Sequence, residues 1–143
     1  MRRFLPIAVA LLGACSGSQG DTRNTTDSAP SETITAQSAF EAEIVPILTS
    51  SCATCHLTGQ EAGNMALVPG KALATLVNVP STEAPGLIRV VPGDPDKSYL
   101  VMKLEGTQIT HGGTGAQMPF GAPPLSPDKI ARIRQWITDG AKP

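Results

Sequence analysis

Ser51-Cys52-Ala53-Thr54-Cys55-His56 is the stretch on which the reading of this chain turns. Two thiols at positions i and i+3 fall on one side of a helical turn, and the imidazole that comes next stands beside them. Whatever joins these three side chains has to be built into the fold, because they occupy only five consecutive positions, 52 to 56.

Several chemistries use such residues. Cys52 and Cys55 could close a strained disulfide, act as a redox pair of the thioredoxin kind, or form half of a zinc site with His56 and His111. A thioredoxin-like pair expects a βαβ setting, yet no run of β-branched strand residues precedes Cys52. A zinc ribbon wants a second cysteine pair, which the chain does not have. The spacing fits best a covalently held c-type haem. Each sulfur would add to one haem vinyl as a thioether, and His56 would supply the proximal nitrogen to iron.

Size and composition agree with a cofactor in the core. The chain has 143 residues, enough for one domain after a leader. Aromatics make up 3% of it, against 14 glycines and 13 prolines, so the polypeptide alone would build a thin core joined by many turns. A buried haem would add a large apolar disc. The formal charge of −1 gives no basic excess that would point to nucleic acid or an anionic membrane surface.

Arg2 and Arg3 precede an apolar run from Phe4 to Leu12, which is far shorter than the roughly 20 residues a spanning helix needs. It reads as an export signal. Leu12-Gly13-Ala14-Cys15 resembles a bacterial lipoprotein box. The resemblance implies a signal peptide over 1–14, cleavage before Cys15 and lipidation of its thiol, and Ser16 in place of Asp leans towards the periplasmic side of the outer membrane. Residues 15–37 form the lipidated cysteine and a linker. From Ser16 to Gln37 little is apolar before Ile34, and a disordered tether of about 25 Å root-mean-square span is expected.

The folded domain is expected over 38–143, all-α, with about four short helices and long Gly/Pro-rich loops. Ser38 and Glu41 make a capping box for a first helix with Phe40, Ile44, Ile47 and Leu48 at helical spacing, which Pro46 should kink or shorten. Lys71 to Asn78 reads as a short helix burying Leu73, Leu76 and Val77, stopped by Pro80. Asp94-Pro95-Asp96-Lys97 opens a third, with Tyr99, Leu100 and Leu104 inward and Gly106 at its exit. Ser126-Pro127-Asp128-Lys129 opens the last, whose stripe is Ile130, Ile133, Trp136 and Ile137, with Gly140 at its end.

The far side of the iron needs a ligand or an opening. A thioether suits haem iron and raises its reduction potential. Met102 lies in an apolar helix, where methionine usually fills core, and Met65 comes close behind His56. Met118 sits in a loop stiffened by Pro119, Pro123 and Pro124 and can fold back across the distal face. Met118 is the expected sixth ligand, with His111, Met102 and an open site as alternatives.

Cys52-Ala53-Thr54-Cys55-His56, then Met118-Pro119, then Pro124-Leu125-Ser126 and a helix ending Trp136-Ile137-Thr138-Asp139-Gly140-Ala141, resembles small bacterial monohaem c-type cytochromes. The resemblance covers about Phe40 to Ala141 and implies a cytochrome c-like fold with one haem c. It implies that the first and last helices cross beside the haem, with Phe40 and Ile44 on Ile133, Trp136 and Ile137. Where that family often has Gly-Pro soon after the haem histidine, this chain has Leu57-Thr58-Gly59, and Pro69 is a weak candidate for orienting the imidazole. The expected function is one-electron transfer outside the cytoplasm, by a non-enzymatic carrier with His56/Met118 ligation. It would meet redox partner proteins transiently and the membrane through the lipid at Cys15. The alternatives are an electron-transfer subunit of a dehydrogenase or peroxidase-type complex, and a haem-based sensor.

Overall fold

Ser38 starts the first helical segment: its Oγ accepts the amide of Glu41 at 3.3 Å, the forward half of a capping box. The computed structural model describes residues 38–143. The signal segment 1–14, Cys15 and the linker to residue 37 lie outside the described residues. The reverse half of the box is not made, because the Glu41 carboxylate accepts the amide of Gly70 instead, at 3.3 Å.

Phe40–Ile44 winds as a π-helix, with the Val45 amide bonded to the Phe40 carbonyl. It runs directly into α1 (Val45–Ser51), which carries Pro46 in its first turn. A proline has no amide hydrogen, and its ring presses on the carbonyl four residues back. The wider turn ahead of Pro46 relieves that conflict, so the helical path continues to the cysteine motif where a kink or an early stop was expected.

Three further helices complete the set: α2 (Ala72–Leu76), α3 (Tyr99–Glu105) and α4 (Pro127–Thr138). α2 buries Ala72 and Leu76, and Val77 leaves it in extended conformation well before Pro80. Asp94 caps as its sequence suggests, its carboxylate accepting the Lys97 amide at 3.1 Å. What it caps is a separate 3-10 turn, Pro95–Lys97, because Ser98 is extended (φ −86°, ψ 115°) and α3 begins only at Tyr99. Gly106 ends α3 in left-handed conformation at φ 76°.

The main core joins the first and last segments. Phe40, Ile44, Leu48, Ile133 and Ile137 are each at most 2% exposed. The Phe40 and Trp136 rings pack tilted, with centroids 4.8 Å apart. The Trp136 indole N–H donates to the Lys142 carbonyl at 2.8 Å, so its one polar atom is satisfied. A smaller cluster of Ala84, Tyr99 and Met102 lies on another side of α3. Among the described residues there are isolated β-bridges but no strand, so this is a helix-rich domain of the all-α kind. No helix among the described residues is long and apolar enough to cross a membrane.

Candidate functional site

α1 delivers the cysteine motif and then stops. Cys52 leaves the helical region at φ −130° while its amide still reaches the Leu48 carbonyl. The carbonyl of Cys52 then accepts two amides, those of Cys55 and His56, each at 3.1 Å. The motif is therefore a tight turn wound on Cys52 rather than a further turn of the helix. It still gathers both thiols and the imidazole on one cavity.

The thiols differ in setting. Cys52 is half-buried and Cys55 exposed, and both are free. Burial, with a smaller push from Cys55, raises the Cys52 thiol to about 11. A thiol of that kind is protonated near neutrality, the reverse of the lowered thiol of a thioredoxin-like pair. His56 is buried, and its Nδ1 has no hydrogen-bond partner. The Pro69 carbonyl thus does not orient it here. The loop after the histidine is held instead by Glu61, whose carboxylate accepts the Thr58 hydroxyl at 2.8 Å and the Gly59 amide at 3.0 Å. The His56 carbonyl itself takes the Leu67 amide at 2.7 Å, which ties the far end of this loop to the motif.

Cys52, Cys55 and His56 border a cavity of about 250 Å³, partly open to solvent. Leu67, Leu76, Leu100 and Leu104 supply apolar wall, and Met118, Pro119 and Phe120 border it from the loop after α3. Phe120 is 75% exposed, so this border reaches the surface. The cavity is far more apolar than polar, as a site for a flat hydrophobic group should be.

The candidate ligands separate cleanly by place. Met118 is partly buried and lines the cavity. Met65 lines it too, on the loop after the motif. Met102 is 5% exposed in the Ala84–Tyr99 cluster and is absent from the lining, so it is core. His111 is exposed at the end of a 3-10 turn, Gln108–His111, and is absent from the lining as well. Among the described residues no three His, Cys, Asp or Glu side chains converge on a common point, so the zinc arrangement of Cys52, Cys55, His56 and His111 is not assembled.

Sequence reasoning missed the polar side of this cavity, made by Ser81, Thr82, Glu83, Arg89 and Lys103. Arg89 is 5% exposed, and its guanidinium donates to the carbonyls of Thr75 (2.7 Å), Asn64 and Gly63, not to a carboxylate. Burial holds its pKa below the usual arginine value. Lys103, 6% exposed, pairs with Glu83 at 3.0 Å. The signal was available: each is a lone cation inside an apolar run, Ile88-Arg89-Val90 and Val101-Met102-Lys103-Leu104. Such a residue is rarely buried without a dedicated partner.

Comparison of the chain with protein-family models, with curated proteins and with solved structures finds no match.

Proposed function

We propose that the domain is a monohaem c-type cytochrome, an extracytoplasmic one-electron carrier with a cytochrome c-like fold. The observation that carries this reading is the convergence of Cys52, Cys55, His56 and Met118 on one mostly apolar cavity. The residues fit the group. Cys52 and Cys55 would hold it by thioethers, His56 and Met118 would ligate its iron, and Arg89 with Ser81 and Thr82 supplies a polar wall for its carboxylates. Bound there, the haem supplies a ferric/ferrous couple, biased towards ferrous by a thioether ligand.

The other residues set the conditions for that couple. Leu67, Leu76, Leu100 and Leu104 exclude water from the cavity wall, which favours the state of lower charge. Exposed Cys55 and Phe120 leave one side of the cavity at the surface, where a partner protein would dock briefly. Were His56 and Met118 both to ligate the iron, no position would be left for a substrate, which favours a carrier over an enzyme. With the lipid that the sequence suggests at Cys15, the carrier would sit at a membrane surface on the periplasmic side.

The test is a denaturing gel of the full chain, made in a host that attaches c-type haem and stained for haem. Stain that stays with the polypeptide and is lost in the Cys52→Ala, Cys55→Ala double variant is the expected result. A wild-type band without stain would overturn the reading.

A further inference from the structure

Lys103 stands out because α3 has no evident need of it. A buried ammonium is costly unless paired, and apolar residues of similar size commonly replace such pairs at little cost in stability. Its position among the buried residues of α3, beside Val101, Met102 and Leu104, therefore calls for a role other than holding the core together.

Its contacts point to one. Lys103 Nζ donates to the Thr114 carbonyl at 3.1 Å and pairs with Glu83 at 3.0 Å. The Tyr99 hydroxyl donates to the same Glu83 carboxylate at 3.3 Å, and the Thr114 hydroxyl donates to the Glu83 carbonyl at 3.3 Å. The backbone carbonyl of Lys103 accepts the Met118 amide at 2.9 Å, and the Leu104 carbonyl accepts the Gln117 side chain at 2.7 Å. One end of α3 thus grips the strap 113–118 at both ends. Gly113 is pressed so closely on Tyr99 that a Cβ there would come within 2.5 Å of the ring.

We propose that Lys103 is a positioning residue, a latch on this strap that sets how readily Met118 leaves the iron and admits an outside ligand. The inference rests on the reading of Met118 as the sixth ligand. In the exchange, an incoming nitrogen takes the coordination place that the Met118 sulfur vacates, and the iron keeps its oxidation state.

The experiment uses the full chain, with imidazole as the probe of the ferric protein and hydrogen exchange at the Met118 amide as a second readout. Lys103→Met should bind imidazole about tenfold more tightly and lose about tenfold in amide protection, the factor that one charge-assisted hydrogen bond represents. Ile133→Val, a loss of core packing away from the strap, should change neither. Should Lys103→Met fail to fold, Glu83→Gln, at a partly exposed position, carries the same test with the same direction of change. Wild-type imidazole affinity and wild-type protection in the folded latch variants would overturn the proposal, as would equal changes in Ile133→Val. The exchange readout is independent of the haem. If the wild type retained none, the proposed function would fail and the control of Met118 release with it, while Met118 protection would still show whether Lys103 holds the strap.

Discussion

The ring of Phe40 and the indole of Trp136 lie 4.8 Å apart at a tilt of 34°, joining the π-helical turn that opens the domain to the helix that closes it. Both flank the core that supports α1, and α1 aims the cysteine motif. Phe40→Ala is expected to cost about 3–5 kcal/mol, as truncation of a fully buried aromatic does. A thermal melt of the single variants and of the Phe40→Ala, Trp136→Ala double variant checks this. The pair should show a coupling of about 0.5–1.5 kcal/mol beyond buried area. Strict additivity would mean that the two rings do not support each other.

Arg89 anchors the loop that carries Met65 to the last turn of α2, through the carbonyls of Gly63, Asn64 and Thr75. Arg89→Met keeps much of the side chain's bulk and leaves these acceptors without their donor. A loss of about 1–3 kcal/mol is expected, read from the midpoint of denaturant unfolding. Faster hydrogen exchange should be confined to residues around 62–66 and 75–79, and a uniform increase over the whole domain would contradict a local anchor.

The Thr58 hydroxyl, then the Thr58 and Gly59 amides, hold the Glu61 carboxyl at about 2, against an ordinary 4.5. A carboxyl lowered on folding stabilises the fold above its ordinary value. That contribution fades as pH falls from about 4.5 and is gone below about 2. The amide resonances of Thr58 and Gly59 should therefore titrate with a midpoint near the lower value, and Glu61→Gln should abolish the titration. A midpoint near the ordinary value would mean that the loop does not close on Glu61 in solution.

Local patterns were legible where one element's own residues settle the matter. Ile133, Trp136 and Ile137 are spaced for one face of a helix, and all three are buried in α4. Asp94-Pro95 marks a helical start that the structure makes, but the extended Ser98 divides what reads as one helix, because its Oγ is drawn to the Asp94 carbonyl and the Val91 amide. The core role of Met102 and the place of Met118 beside the cavity were readable from helical spacing and from neighbouring prolines, whereas a tight turn on Cys52 stands where the spacing suggested a helical turn. The loop after His56 was not legible, since Glu61, rather than the weak candidate Pro69, holds Leu57-Thr58-Gly59 in place by hydrogen bonds to Thr58 and Gly59. Arg89 and Lys103 were missed for a different reason. Their partners lie 11 to 26 residues away in sequence, and no periodicity encodes such contacts.

The most direct measurement is the optical spectrum of the full chain, made in a host that attaches c-type haem, in ferric and ferrous states. Wild type should show a covalent haem with the weak long-wavelength ferric band of sulfur-ligated iron. Met118→Ala should lose that band, while Met102→Leu and His111→Ala keep it, since neither residue borders the cavity. A band that survives in Met118→Ala would contradict the ligand pair, and a chain that retains no haem at all would contradict the proposed cytochrome itself.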